Sequence, residues 1–218
     1  MNILAIDTCT EVASVTLYSS NVKTTRVLTD IAKSSGYILK LCDEVFKEAG
    51  NNLQEVDFIS YTKGPGAFTG VRMCVGVVQG LSLSCGIPTL GFSTLELLAF
   101  RASKILKKDK IATAIDARMG EVYWAVYDNG SISNIRICKP ENVDNLGTGF
   151  VGVGSGWKVH NDELIKASQI NHTDSNIYPE STDLIDLSLL AIESGQKATF
   201  DLPQPIYLRN NVAQKSLK

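Results

Sequence analysis

The chain has 218 residues, of which 44% are hydrophobic, and its 21 basic and 23 acidic side chains leave a formal net charge of −2. This length allows two modest cores, and the small negative charge gives no support for autonomous nucleic-acid binding, which normally needs a basic face. No stretch of about 18 apolar residues is apparent, so the sequence predicts neither a transmembrane helix nor a membrane contact.

The N-terminus and the cysteines both predict a cytoplasmic protein. Residues 1–7 form a mostly apolar run that begins with no basic residue and ends at Asp7. This pattern is typical of a strand rather than a signal peptide. Reduced thiols are expected because the cysteines are odd in number and form no Cys-x-x-Cys pair. The five cysteines are Cys9, Cys42, Cys74, Cys85 and Cys138.

Short apolar and alternating runs predict that the first half of the chain is rich in strands, with three helices between them. An apolar stripe opposite charged residues indicates the first helix, and a capping box indicates the start of the third. The predicted strands are residues 2–7, 12–18, 22–28, 57–61 and 87–91. The predicted helices are residues 36–49, 70–85 and 93–106.

The helix at 70–85 is apolar nearly all round, and Gly76 and Gly80 lie one turn apart within it. A glycine inside a helix costs about 1 kcal/mol relative to alanine. Two of them on one face therefore indicate that another backbone comes close. The alternative is a helix wholly buried inside its own domain.

The second half begins after a charged turn at 107–110, which is the predicted domain junction. A Gly-containing turn predicts a hairpin within this half. The predicted strands are residues 111–115, 121–127, 131–138 and 151–154. A short helix is predicted at 157–167, a polar loop at 168–181 and a further helix at 183–194.

The most unusual segment is the glycine-rich loop at 64–72, which leads from a strand into the helix at 70–85. Gly64, Gly66 and Gly70 allow sharp turns, and Thr69 is positioned to cap the helix. One interpretation is an anion or partner contact at a helix N-terminus, and the other is a tight strand-to-helix connection. The loop is neither a P-loop nor a Rossmann fingerprint. Arg72 is expected to hold the loop by bonding carbonyls or a carboxylate.

A short repeat relates the two halves. Residues 6–12 and 115–122 each comprise a strand end, an aspartate, a turn, and Glu-Val opening another strand. Asp7 and Asp116 are the aspartates, and Asp7 is a plausible partner for Arg72. Duplicated β-β-β-α halves of this kind resemble the actin and hexokinase architecture, in which such turns hold phosphates and Mg²⁺. In this sequence neither turn is well suited to bind phosphate. The alternative interpretation is that Asp7 and Asp116 are structural residues that cap their turns.

Four segments resemble the TsaB (YeaZ) family of bacterial tRNA threonylcarbamoyladenosine biosynthesis proteins. They are ILAIDTCTEVASVTLY at 3–18, GPGAFTGVR at 64–72 with STLELLA behind its helix, AIDARMGEVYWAVY at 114–127 and YLRNNVA at 207–213. The resemblance implies an α/β protein of the actin-like ATPase (ASKHA, ribonuclease H-like) fold with two duplicated lobes.

The resemblance also implies a non-catalytic scaffold subunit that binds TsaD, the related subunit that performs the transfer. With TsaD and the ATPase TsaE, it would support transfer of a threonylcarbamoyl group to N6 of adenosine 37 in tRNAs that read ANN codons. The chain would therefore meet tRNA through the complex. The alternatives are an ATP-dependent kinase or ATPase of the same fold, and a peptidase, for which no Ser-His-Asp or Cys-His arrangement can be argued.

No metal or other cofactor is expected. The two histidines, His160 and His172, are twelve residues apart in a polar region and lack the spacing of a ligand pair. The resemblance implies that a TsaD-type His-x-x-x-His pair would lie near residues 33–39, where this sequence has no histidine.

The expected lobes are residues 1–106 and 107–218, with the tail at 203–218 packing back toward the first lobe because its apolar residues need cover. The helices at 36–49 and 70–85 are expected to form an exposed apolar face for TsaD, or for a second copy when TsaD is absent. The predicted interface residues are Ile38, Leu41, Val45, Met73, Gly76, Val77 and Gly80. The alternative is that both helices are buried by the sheet and by loops.

Overall fold

The computed structural model describes residues 1–29 and 36–209, and within these ranges the chain forms two lobes, each built on a five-stranded sheet. The predictions for residues 33–35 and 210–218 lie outside the described residues. The strands are Ile3–Asp7 (β1), Ala13–Ser19 (β2), Val22–Leu28 (β3), Phe58–Thr62 (β4), Thr89–Phe92 (β5), Lys110–Arg118 (β6), Glu121–Asp128 (β7), Ser131–Cys138 (β8), Val151–Val153 (β9) and His172–Asp174 (β10). The α-helices are Ile38–Ala49 (α1), Phe68–Cys85 (α2), Thr94–Leu106 (α3), Gly156–Val159 (α4), Asn161–Ser168 (α5) and Ser181–Glu193 (α6).

The two sheets have the same topology. The first has the order β3-β2-β1-β4-β5, and the second has the order β8-β7-β6-β9-β10. In each, the first three strands pair antiparallel, and the next two add in parallel on the other side of the first strand. This correspondence confirms the duplicated α/β architecture that the short repeat predicts.

Side-chain alternation along β1 explains how helices cover both faces of the first sheet. Leu4 and Ile6 pack with the buried sides of α1 and α2, whereas Ile3 and Ala5 pack with Leu184 and other residues of α6. The second sheet is covered by α3 on one face and by α4 and α5 on the other. Both sheets are therefore enclosed on both sides.

The helices α3 and α6 are exchanged between the two halves. α3 follows the first sheet in the chain, but its Leu95, Leu98 and Ala102 pack on the second sheet. α6 follows the second sheet, yet it packs on β1, β2 and β4. The strands divide at the predicted boundary after residue 106. The helices do not, because α3 packs with the strands of 107–218 and α6 packs with the strands of 1–106.

Ion pairs fasten α3 to α6 where the two lobes meet. The Asp183 carboxylate, on α6, accepts from the Arg101 guanidinium and from the Lys104 ammonium, both on α3. Asp183 is only 5% exposed, so its charge depends on these partners. Arg101 also pairs with Glu180, and Lys104 also pairs with Asp186.

Two predictions from the sequence are wrong in this architecture. The polar loop predicted at 168–181 contains β10, an edge strand of three polar residues that pairs with β9 and offers no apolar alternation to detect. The absence of an apolar stretch of about 18 residues is also wrong, because α2 is long and apolar enough by length and composition to cross a membrane. In the fold, α2 packs one side against the first sheet.

Replacing Asp183 with alanine is expected to lower the free energy of unfolding by about 2–3 kcal/mol. The change removes a buried carboxylate that two cations of α3 share, and the loss is moderated because each cation keeps a second acidic partner. Urea denaturation measures the change.

The matched control is Asp43→Ala on α1, which removes an exposed ion pair with Lys47. Its effect is expected to stay below about 1 kcal/mol. Equal losses in the two variants would show that the Asp183 ion pairs do not hold α3 and α6 together.

Candidate functional site

The glycine-rich loop docks by its backbone on the turn between β1 and β2. The Ala67 N–H donates to the Cys9 carbonyl over 2.8 Å, and the Thr8 hydroxyl donates to the Gly70 carbonyl over 2.6 Å. A Cβ on Gly66 would lie 2.0 Å from the Cys9 carbonyl oxygen, and a Cβ on Gly70 would lie 2.1 Å from that of Thr8. These two glycines are therefore needed for a close contact between backbones. This agrees with the interpretation of the loop as a tight strand-to-helix connection.

The start of α2 differs from the prediction. The helix begins at Phe68, two residues earlier than expected, so Thr69 is an exposed residue inside its first turn. The cap position is Ala67, which forms no side-chain cap hydrogen bond. The prediction that Thr69 caps the helix is therefore wrong. Gly64 has a φ of +94°, a conformation that favours glycine, at the point where the chain leaves β4.

Asp7 is enclosed beneath this loop. Its side chain is fully buried, and one carboxylate oxygen accepts from the Thr62 hydroxyl and from the Cys9 N–H. Burial raises the pKa of Asp7 to about 6, although these hydrogen bonds act in the opposite direction. The sequence analysis missed Thr62, whose position follows from the parallel pairing that sets Ile6 beside Tyr61 and hence Asp7 beside Thr62.

Arg72 does not pair with Asp7, and that prediction is wrong. Its guanidinium lies over the Phe68 ring, 3.4 Å from the ring centroid, and its Nε donates to the Tyr207 hydroxyl over 2.9 Å. Arg72 is exposed on the outer side of α2, whereas Asp7 is fully buried under the inner side. Arg72 therefore links α2 to the C-terminal segment instead of holding the glycine-rich loop.

Asp116 lies near the end of β6, next to the turn into β7. Its carboxylate accepts from the Arg118 N–H over 2.9 Å and pairs with the Arg118 guanidinium over 3.0 Å. The Asp116 N–H donates to the Ser155 hydroxyl over 3.2 Å, a contact that the sequence analysis missed. His160 Nε2 lies 3.8 Å from the Asp116 carboxylate, which is too far for a hydrogen bond. Asp116 thus fits the alternative of a structural aspartate that caps its turn.

A cleft of about 1060 Å³ lies between the lobes. Its walls combine apolar and aromatic side chains with a few charged ones. Among the lining residues are Thr10, Glu11, Phe68, Arg72, Ile115, Asp116, Arg118, Tyr123, Tyr207 and Arg209. Asp7 does not line this cleft, and Asp116 is engaged by Arg118. Within the described residues, no group of three or more His, Cys, Asp or Glu side chains could hold a metal ion.

The segment 199–209 runs beside α2 and then reaches the second lobe; we call it the strap. Ile206 N–H donates to the Lys63 carbonyl over 2.7 Å, which ties the strap to the first lobe. Arg209 pairs with Glu121 and donates to the Ala117 carbonyl, which ties its end to the β6–β7 turn. The described part of the tail therefore contacts both lobes, whereas only the first was expected.

The predicted interface residues divide into two groups. Ile38, Leu41 and Val45 of α1 are buried in the core of the first lobe, so their assignment to an exposed face is wrong. The apolar stripe of α1 covers its own sheet, as in an ordinary amphipathic helix. The α2 positions differ, because Gly76 and Gly80 are exposed and Met73 and Val77 are half-buried.

The outer side of α2 is therefore the candidate contact surface. A Cβ placed on Gly76 or on Gly80 would meet no atom within 4 Å. The loop glycines are needed inside the monomer, but these two helix glycines are not. Their place on the exposed side of a long apolar helix is what a close approach by another chain would require.

Comparison with known proteins identifies the family. The family model described as "TsaD: tRNA N6-adenosine threonylcarbamoyltransferase" matches residues 31–197. The tRNA threonylcarbamoyladenosine biosynthesis protein TsaB of Escherichia coli K12 is 34% identical, and the alignment covers 100% of this chain and 98% of that protein.

Solved structures agree with the sequence comparison. "YeaZ from Pseudomonas aeruginosa" superposes with a TM-score of 0.85 at 32% identity, covering 94% of this chain and 100% of that one. A second Pseudomonas aeruginosa structure, described as an uncharacterized protein with similarity to peptidase YEAZ, gives a TM-score of 0.87 at 33% identity, over 95% of this chain and 99% of that one. The predicted family and fold are confirmed.

Gly66→Ala and Gly70→Ala are each expected to lower the free energy of unfolding by about 2–3 kcal/mol or more, because the new methyl group would overlap a carbonyl oxygen. Gly76→Ala, further along α2, is the matched control, and it should raise stability by up to about 1 kcal/mol. Thermal and urea denaturation measure all three variants. A loop variant as stable as Gly76→Ala would refute the backbone-docking account.

The buried carboxyl of Asp7 predicts a dependence of stability on pH. Its folded pKa of about 6 is higher than the ordinary aspartate value of 3.8, so ionised Asp7 destabilises the fold above pH 6, and protonation relieves this as the pH falls. From pH 8 to pH 4.5 the stability of the wild type relative to Asp7→Asn should rise by about 2 kcal/mol. Urea denaturation of both proteins at several pH values measures this difference. A difference that is independent of pH would contradict it.

Proposed function

Since this chain belongs to the TsaB family of tRNA threonylcarbamoyladenosine biosynthesis proteins, we propose that it is a non-catalytic subunit that binds a TsaD-type partner. Its role is to keep that partner competent for threonylcarbamoyl transfer to N6 of adenosine 37 in tRNAs that read ANN codons. The observation that carries the proposal is the outer side of α2, where Gly76 and Gly80 lie exposed and open on a long apolar helix.

The partner surface is assigned to the outer side of α2. Gly76 and Gly80 give the backbone of another helix room to approach, and Met73 and Val77 present half-buried aliphatic surface beside them. A TsaD-type chain shares the family model that matches residues 31–197, a range that includes α1 and α2. It would therefore offer a helix that corresponds to α2, and we expect the two helices to meet about a pseudo-twofold axis.

A non-catalytic role is supported by both aspartate turns. A kinase or ATPase of this fold would need an accessible carboxylate at the end of β1 to act on a phosphate-bound Mg²⁺. Here Asp7 is fully buried under the docked loop, and Asp116 is engaged by the exposed Arg118. These contacts disfavour the kinase or ATPase alternative. The 3.8 Å separation of His160 from Asp116 also gives no support to a peptidase.

The wider assembly follows from the family role. We expect the ATPase TsaE to join the complex of this chain with TsaD, and the chain to meet tRNA through that complex. With a net charge of −2, this chain has little to offer a phosphate backbone by itself. In the absence of TsaD, the same side of α2 is expected to support a homodimer, and the assembly is expected to work in the cytoplasm.

Gly76→Glu and Gly80→Glu test the proposed surface. Each should leave the monomer folded, because the site is open and glutamate is a better helix former than glycine. Each should weaken binding to the purified TsaD-type subunit at least tenfold and reduce tRNA modification in parallel, because it buries a charge in an apolar contact. Calorimetry and a reconstituted modification assay provide the readouts.

Gly149→Glu is the matched control. Gly149 lies in the second lobe, where an added Cβ also meets no atom within 4 Å, and the variant carries the same change of charge. It should leave binding within twofold of the wild type. The surface assignment fails if the α2 variants remain folded and bind as well as this control.

A further inference from the structure

The strap follows α2 along its length and is fixed to the first lobe at successive points. At one end, Thr199 and Thr89 exchange backbone hydrogen bonds of 2.7 and 2.9 Å next to the start of β5. Further on, the Gln79 side chain donates to the Pro203 carbonyl over 2.7 Å. At the other end, Tyr207 meets Arg72 near the start of α2. Residues 200–202 therefore lie beside the C-terminal half of the helix.

Helical spacing defines which side of α2 faces the strap. Arg72, Gln79 and Leu83 are seven and four residues apart, so they lie on one stripe of the helix. Arg72 and Gln79 donate hydrogen bonds to the strap, so Leu83 lies on the same flank of the helix. Leu83 is 72% exposed, and Phe200, in the strap between two fixed points, is 75% exposed.

The surface formed by α2 and the strap is apolar and almost uncharged. Arg72 is the only charged residue of α2, and Asp201 is the only one between 199 and 207. Leu202 is also exposed, and the exposed large apolar residues Phe68 and Tyr207 continue the patch to the start of the helix. Contiguous apolar surface of this kind marks a contact with another protein.

We propose that Phe200 and Leu202 of the strap, together with Leu83, form the second flank of the partner-binding surface. The occupant is the same TsaD-type subunit, whose apolar helix lies over Gly76 and Gly80 with Met73 and Val77 on one side and the strap on the other. This inference rests on the proposed function and extends the surface beyond the helix pair that the sequence analysis identified.

The chemistry of the surface favours a folded protein over a nucleic acid as the occupant. A nucleic-acid backbone would require several cations, and α2 and the strap carry only two, both already engaged. Arg72 is stacked on Phe68 and bonded to Tyr207, and Arg209 is paired with Glu121. An uncharged apolar surface is instead matched by the apolar helix face of a folded protein, where aromatic and aliphatic side chains provide most of the binding energy. The strap surface is also continuous with the side of α2 assigned to the same partner.

The test is a double variant of the full chain, Phe200→Ser with Leu202→Ser, assayed for binding to the purified TsaD-type subunit by calorimetry. Both side chains are exposed, so the melting temperature should stay within about 2 °C of the wild type, and affinity should fall at least tenfold. The matched control is Val22→Ser with Val159→Ser, two exposed aliphatic residues away from the strap, which should bind within twofold of the wild type.

The outcomes separate this inference from the proposed function. If Gly80→Glu loses binding but the strap variant binds like the control, the strap inference is wrong and the proposed function stands. If the strap variant alters only self-association, the strap serves a second copy of the chain and the inference is also wrong. If the wild type forms no complex with the TsaD-type subunit, the proposed function fails first.

Discussion

The contact between two backbones, the glycine-rich loop and the β1–β2 turn, is the constraint on which the rest of the first lobe depends. The carbonyls of Thr8 and Cys9 lie where any side chain on Gly66 or Gly70 would have to be. Since α2 begins inside this contact, its position and direction on the sheet are determined there. The same contact encloses Asp7, so the loop that orients the proposed partner surface also removes the carboxylate that phosphate chemistry would use.

Much of this architecture could be predicted because its local patterns agree with its global fold. The strands at 22–28 and 131–138 have the predicted bounds, and the repeat around Asp7 and Asp116 anticipates the two matching sheets. The family followed from motifs spread along the chain. β10 could not be found, because a polar edge strand of three residues has no periodicity of its own.

The site was harder to predict because side-chain partners depend on packing that no local pattern contains. The apolar stripe of α1 shows which side of the helix is covered, but it does not show whether the covering surface is its own sheet or another chain. In the structure Ile38 is buried in the core of its own lobe. Arg72 was assigned to Asp7 because the strand ends and the glycine-rich loop share one edge of the fold. Its guanidinium instead contacts Phe68 and Tyr207 on the outer side of α2. The glycines of α2 were informative because each lowers the stability of the helix, and no contact within the monomer requires a glycine at either position.

The exchange of α3 and α6 has a consequence for how the molecule folds. Each sheet has one face closed by a helix that the other half of the chain supplies, so neither half can complete a core by itself. A chain cut between the sheets would leave two fragments that each expose an apolar sheet face. The two lobes are thus one cooperative unit, in which loss of either sheet removes the cover of the other.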